Sequence, residues 1–389
     1  MSPCKICGQE DCKKHSFLIP IKNIRTEFSG SSPPEIFVGR WNYPNVYTGI
    51  LSPETYGNNE IMSSPEQWKE KNLKIGDIMQ LRNKLIYSRT QTYIKKQESQ
   101  FLNVFHEIAM THKSVATEFK LKKPINFTNH PDSRVPLISR AAPLERAILQ
   151  ENTKIKTKVD YLVNDTEIKS SPAILELHKF IPVSNIIKIL SAGLLGLKKN
   201  RKLVPTRWAI TATDDTLSKS KLEKIRYFPE ISEFQVFNVE YLGNHYEFLL
   251  FPDKYSFEVI EISMKNFSAW QDYETFFPRK KYADSVTGAY YANRLALTEY
   301  LERIKRQASC LVFREIRPEY YAPCGVGILR ETSRTAFQQK PMVFQTLKES
   351  LQDIQSRLRM KVENFTQRSW LIKNSGKQTK LSQFLGIAN

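Results

Sequence analysis

Hydrophobic and polar positions change their rhythm several times along this chain. The stretch "FSGSSPPEIFVGRWNYPNVYTGILSPETYGNNE" is broken every few residues by Pro, Gly, Ser or Asn. No long helix survives that punctuation, so it predicts strands and ordered loops laid over a core. "SSPEQWKEKN" carries a helix start, with Ser64 as cap, Pro65 in the first position and an acid in the first turn. From about Gln91 to His112, Ile94, Phe101, Phe105 and Ile108 recur at helical spacing. Farther on, "EFQVFNVEYL" and "HYEFLLF" flank Gly243-Asn244, a hairpin signal, and "YSFEVIEIS" adds a third strand to an expected antiparallel meander. A helix through Leu297, Leu301 and Ile304 leads into a strand at "ASCLVFREI". Between about Val343 and Glu363, the residues Phe344, Leu347, Leu351, Ile354 and Leu358 form one apolar stripe. It spans barely two heptads, which suits packing on the domain better than a coiled coil.

The fold class these patterns imply is α+β. A large mixed body over residues 21–374 carries the meander and packed helices, with a subdomain break, if there is one, near residues 125–145. A short segment, residues 1–20, precedes the body. After Trp370 the periodicity collapses into the basic, acid-free "LIKNSGKQTK", so residues 375–389 read as a flexible tail.

Composition adds a partner class. Of 389 residues, 41% are hydrophobic, with 17 Tyr and 22 Phe, enough for a real core. The longest apolar stretch, "IPVSNIIKILSAGLLGL", is interrupted by Ser, Asn, Lys and Pro182 and makes a poor membrane span. The polar, Cys-bearing start does not read as a secretory signal. The expectation is a soluble, cytoplasmic protein with no membrane partner. A balance of 58 Lys+Arg against 40 Asp+Glu leaves a formal charge of +18. That excess suits DNA or RNA; the plainer alternative is a solvated basic surface. It is also clustered, with Lys198, Lys199 and Arg201 in "LKKNRK" and Arg279, Lys280 and Lys281 in "PRKKY".

Three local constellations carry candidate chemistry. Cys4, Cys7, Cys12 and His15 bring four soft or borderline ligands close together. Three thiolates and an imidazole close a tetrahedral structural Zn2+ site, and a segment this short needs metal to fold. A disulfide pair or free thiols are the alternatives. At the other end, Gln378, Leu381, Phe384 and Leu385 match the spacing of sliding-clamp-binding peptides. Residues three apart share one face of a 3-10 turn, so Leu381 and Phe384 with Leu385 form an apolar plug, while Gln378 enters a separate polar pocket. The alternative is a terminal turn folded back on its own body. Within the body, "VGRWNYP" offers Arg40 and Tyr43, and "VPTRWAITATDD" offers Arg207, Trp208, Asp214 and Asp215. Arg can clamp phosphate and Tyr or Trp can stack a base. Asp214 and Asp215 are candidate Mg2+ ligands for catalysis, or else acids placed for a helix start with Ser220 and Glu223 as a capping box just downstream. Cys310 and Cys324 read as core packing.

The Cys-rich start, "PPEIFVGRWNYPNVYTGILSP", "LVPTRWAITATDD", "TFFPRKKY" and the tail together resemble the archaeal Nre family of DNA repair proteins over nearly the whole chain. The resemblance implies a role in DNA damage repair through the archaeal sliding clamp PCNA, near the nucleoid. It matches the family's Cys-rich start to Cys4, Cys7, Cys12 and His15, and its tail to Gln378, Leu381, Phe384 and Leu385. It implies no particular reaction. A DNA-binding repair factor, a metal-dependent DNA-processing enzyme and an adaptor for other repair proteins all fit these residues.

Overall fold

A computed structural model describes residues 26–96, 98–127, 135–138 and 140–374. The chain divides into two compact units, one running up to Leu217 and including Tyr321–Glu331, the other comprising Ser218–Tyr320 and the chain from Thr332 onward. Cys4, Cys7, Cys12, His15, Gln378, Leu381, Phe384 and Leu385 lie outside the described residues.

The first unit is built on a mixed sheet. Its strands are β1 (Glu27–Ser32), β2 (Ile36–Val38), β3 (Asn45–Ser52), β4 (Ile86–Tyr93), β5 (Val115–Leu121), β6 (Asn126–Phe127) and β7 (Arg140–Leu149). The order is β1-β5-β7-β4-β3-β2, with β6 pairing β7 off that path. β4 and β7 run parallel, from Ile86 opposite Arg140 to Arg89 opposite Pro143, while β2, β3 and β4 form antiparallel pairs. Helices α1 (Pro65–Glu70), α2 (Ile75–Asn83), α3 (Gln100–Met110), α4 (Thr157–Asn164), α5 (Ser170–Leu177) and α6 (Val183–Ser191) belong to this unit. Ser64 caps α1 by accepting from the Gln67 N–H, and Pro65 opens the helix as expected.

Alternation decides which residues of this sheet meet. In β3, Tyr47, Gly49 and Leu51 share a face; Gly49 stands opposite Arg89 and Leu51 opposite Tyr87. Part of that face is covered by an apolar cluster of Leu51, Met62, Leu85, Tyr87 and Ala141, joined by Phe37, Leu81 and Ile138. α3 and α6 pack on each other and against β2.

The second unit holds a six-stranded sheet in the order β11-β10-β12-β9-β8-β13. Its strands are β8 (Phe234–Tyr241), β9 (Asn244–Phe251), β10 (Ser256–Ser263), β11 (Ala269–Glu274), β12 (Ser309–Ile316) and β13 (Met342–Phe344). On one face, Leu249, Phe251, Ile260, Ile262, Leu311 and Phe313 pack with Ile354 of α10 (Leu347–Arg357), Phe365 of α11 (Glu363–Thr366) and Leu371 of α12 (Trp370–Asn374). On the other, α8 (Gly288–Ile304) sets Tyr290 edge-on to Phe257 and Tyr300 edge-on to Phe237, with centroids 5.1 and 5.0 Å apart. Helices α7 (Thr206–Ile225) and α9 (Val326–Ala336) carry the chain across the division.

Several expectations need correction. The hairpin at Gly243 forms, but β10 does not add beside β9: β12 lies between them, parallel to β10. The physical reason is burial. β12 is covered on both faces along nearly its whole length, as a central strand is, and the intervening α8 supplies the crossover a parallel pair requires. The helix expected from Gln91 begins at Gln100, where the Ser99 side chain caps it, because Gln91–Tyr93 complete β4. The 343–363 stripe divides into β13, α10 and α11. Asp214, Asp215, Ser220 and Glu223 all lie inside α7, so neither the acids nor the Ser-Glu pair marks a helix start. Cys310 and Cys324 are buried, as expected, and burial raises both thiols above their usual range. No helix among the described residues is long and apolar enough to cross a membrane.

Candidate nucleic-acid interface

The uncovered end of the β2-β3-β4 face opens into a cavity of about 280 Å³. Among the described residues, its walls carry three arginines, Arg40, Arg89 and Arg207, and no carboxylate. Phe37, Trp41, Tyr47 and Tyr87 supply rings, and Val38, Val135 and Ile138 supply aliphatic surface. Arg40 and Arg207, 167 residues apart in sequence, therefore share one pocket.

Local structure explains the convergence. β2 ends at Val38, and the Gly39 N–H donates to the Tyr47 carbonyl at 2.8 Å, which holds Arg40 beside β3. The next turn places Asn42 in the left-handed region (φ 62), where Asn is at home, and contains a cis Tyr43–Pro44 bond. The start of α7 is pinned to the same place. The Val38 N–H donates to Thr206 Oγ1 at 3.0 Å, and the Ser191 hydroxyl reaches the same oxygen at 3.3 Å. Arg207 follows directly, in the first turn of a long helix, whose dipole is positive at that end.

The aromatic surfaces are ordered by specific contacts. Tyr87 lies deepest, its hydroxyl shared between the carbonyls of Tyr47 (3.1 Å) and Phe37 (3.2 Å). Burial raises its phenol far above the usual range, against a smaller opposing effect of Arg89, so it stays a neutral donor. A Cβ on Gly49 would stand 2.7 Å from the Tyr87 ring and 2.3 Å from the Ser88 carbonyl, so only glycine lets this ring lie on the sheet. The Arg89 guanidinium stacks 4.4 Å from the Tyr47 ring, and that of Arg40 lies 4.3 Å from Trp41. Trp41 is 71% exposed. Tyr43 and Trp208, also exposed, contact each other at 5.3 Å between centroids. Arg40 Nε is buried with no hydrogen-bond partner among the described residues.

The remaining candidates divide differently. Arg201 donates to the carbonyls of Gly196, Val163 and Asp165 at 2.8, 2.8 and 2.9 Å, so it ties its loop to the end of α4. Lys198 and Lys199 stand exposed on a short 3-10 turn beside it. In the second unit, Arg279 donates to Asp272 Oδ1 at 2.6 Å and to the Lys281 and Tyr282 carbonyls, ordering the loop on which Lys280 and Lys281 are exposed. Asp214 is fully buried; Arg330 Nε and Nη2 each donate to one of its carboxylate oxygens at 2.8 Å. Asp215 is half-buried and points about 100° away around the helix. No cluster of three or more His, Cys, Asp or Glu suited to a metal is present among the described residues.

Sequence reasoning named Arg40, Tyr43, Arg207 and Trp208 but missed Phe37, Tyr47, Tyr87 and Arg89. The signal was available in "IYSRTQTY", where strand alternation puts Tyr87, Arg89, Gln91 and Tyr93 on one face. Assigning its end to a helix hid that face.

With this geometry in view, the chain belongs to the archaeal Nre family: the family's N-terminal model matches residues 6–271 and its C-terminal model residues 274–384. It is 33% identical to the DNA repair protein NreB of Archaeoglobus fulgidus over 98% of this chain and 97% of that protein. It is 34% identical to the DNA repair protein NreA of the same organism, over 98% of this chain and 97% of the relative. The DNA repair protein NreA of Haloferax volcanii is 31% identical over 91% of this chain and 88% of its own length. No solved structure matches the chain.

Proposed function

We propose that this protein is a DNA repair factor that holds nucleic acid on its first unit and reaches the sliding clamp PCNA through its C-terminal peptide. The observation that carries the DNA-binding half is the convergence of Arg40, Arg89 and Arg207 with exposed rings in one cavity that, among the described residues, has no acid in its lining. Guanidiniums neutralise phosphates, aromatic faces accept bases without regard to sequence, and the +18 charge supplies long-range attraction. Lys198, Lys199, Lys280 and Lys281 add to that attraction rather than to the pocket. Repair is supported by the names of the relatives. The clamp half is supported by the spacing of Gln378, Leu381, Phe384 and Leu385. Tethering by a tail raises the effective concentration of the body on clamp-bound DNA. Cys4, Cys7, Cys12 and His15 would hold a structural Zn2+, whose preferred donors are thiolate and imidazole.

The test is anisotropy of a labelled single-stranded oligonucleotide across a salt series. Arg40→Ala with Arg207→Ala should weaken binding and flatten the log–log salt slope by about 1.5, since each lost phosphate contact removes about 0.7–0.9. An unchanged slope would overturn the interface. The metal-dependent enzyme reading finds its candidate acid, Asp214, already engaged by Arg330.

A further inference from the structure

From the shape and lining of the same cavity, and resting on the nucleic-acid reading above, we propose that it takes one unpaired nucleotide. The base enters the ring-lined interior and its phosphate is held at the mouth by Arg40, Arg89 and Arg207. A surface that merely tracks a phosphate backbone needs charge and no depth. Here there is depth. The cavity is floored by Tyr87, which burial and two carbonyl bonds hold in place, and its inner walls are apolar. Its volume of about 280 Å³ falls just below the range of about 300–1,000 Å³ for drug-sized ligand sites. That admits a single nucleoside and excludes a base pair or two stacked bases.

The polar groups fit the other half of a nucleotide. Guanidinium is the side chain best matched to phosphate, since its planar fork donates two bonds at once. Two of the three, Arg40 and Arg89, lie against aromatic rings, which positions their forks before a ligand arrives. Arg40 Nε, buried with no partner among the described residues, is a donor that an entering anion would satisfy. Among the described residues the lining has no carboxylate to repel a phosphate.

A base stacked in a duplex cannot reach such a cavity unless it leaves the helix. Extrusion costs least where the base is mismatched, damaged or single-stranded. Selectivity for distorted DNA would then follow without any reading of sequence. The exposed Tyr43–Trp208 pair, with Trp208 next to Arg207 and Tyr43 three residues beyond Arg40, offers a stacking surface for the neighbouring base. The same nucleoside phosphate chemistry can come from a strand or from a free nucleotide.

Three duplexes separate these cases: one fully paired, one with a single bulged nucleotide, and one whose bulge is abasic. Affinities are read by anisotropy, with dAMP as competitor. The expected result is roughly tenfold tighter binding of the bulged nucleotide than of the abasic bulge or the paired duplex. Tyr47→Ala and Arg89→Gln should each abolish that preference while retaining the wild-type circular dichroism spectrum. Tight dAMP binding without a bulge preference, lost in the same variants, would support the pocket and assign it to free nucleotides. Equal affinity for all three duplexes with no displacement by dAMP would overturn the proposal. If salt-dependent DNA affinity persisted in that case, the broader DNA-binding reading would stand without it.

Discussion

Replacing Asp214 by Ala separates a structural carboxylate from a metal ligand. In the structure, Asp214 and Arg330 are both almost wholly buried, and two parallel bonds of 2.8 Å join them. Removing the carboxylate takes both of these bonds from a buried guanidinium, which costs about 3–5 kcal/mol, because its desolvation is no longer offset by that charge. For a unit of some two hundred residues each kcal/mol shifts the melting temperature by about 2–4 °C, so the loss is roughly 10 °C. Scanning calorimetry of the intact protein reads this shift directly. A partner experiment isolates the pair: Asp214→Leu with Arg330→Met removes both charges together and should restore most of the lost stability. A metal ligand behaves oppositely. If Asp214→Ala melted within about 0.5 kcal/mol of the wild type, and Mg2+ stabilised the wild type but not the variant, the ion-pair assignment would be wrong.

Three further outcomes follow from the same residues. Burial lowers His106 from its usual 6.5 to about 4, against a weaker opposing hydrogen bond to the Ala192 backbone. Between those values the unfolded chain binds the extra proton. This contribution is therefore fully present above pH 6.5 and falls as pH drops towards 4. The loss is about 3 kcal/mol. His106→Gln should lessen the acid sensitivity seen in urea unfolding, and parallel losses in variant and wild type would refute this. Phe384→Ala should reduce clamp affinity at least about tenfold, by the loss of a buried aromatic anchor; unchanged calorimetric affinity removes the plug. Metal analysis should find about one zinc per chain, lowered by Cys7→Ser, and a metal-free protein with an unaltered fold would remove that site.

How much of this was legible in the sequence depended on the range of the forces involved. Local chemistry read well: the Ser64–Pro65 helix start, the Gly243 hairpin and the strand at "ASCLVFREI" each depend on residues close in sequence. Strand order did not read, because nothing beside β10 announces that a strand some fifty residues later will pair with it. The two halves of the candidate site were visible as separate motifs, Arg40 with Tyr43 and Arg207 with Trp208. Their union is made by long-range contacts such as the Val38–Thr206 bond and the Tyr43–Trp208 ring contact, which periodicity cannot show. Arg89 and Tyr47 were hidden for another reason. Their role rests on facing the same side of paired strands, and that required β4 to be recognised first. Asp214 looked like chemistry until Arg330 appeared opposite it, from far along the chain.

On this reading nucleic acid rests on the aromatic and arginine face of the first unit. Photo-crosslinking tests it most directly, using a 5-bromouracil-substituted single strand and mapping the adducts by mass spectrometry. Adducts at Trp41, Tyr43, Tyr47 or Trp208, reduced when Arg40 and Arg207 are both replaced by Ala, are the expected result. Adducts confined to the second unit, unaffected by those substitutions, would contradict it.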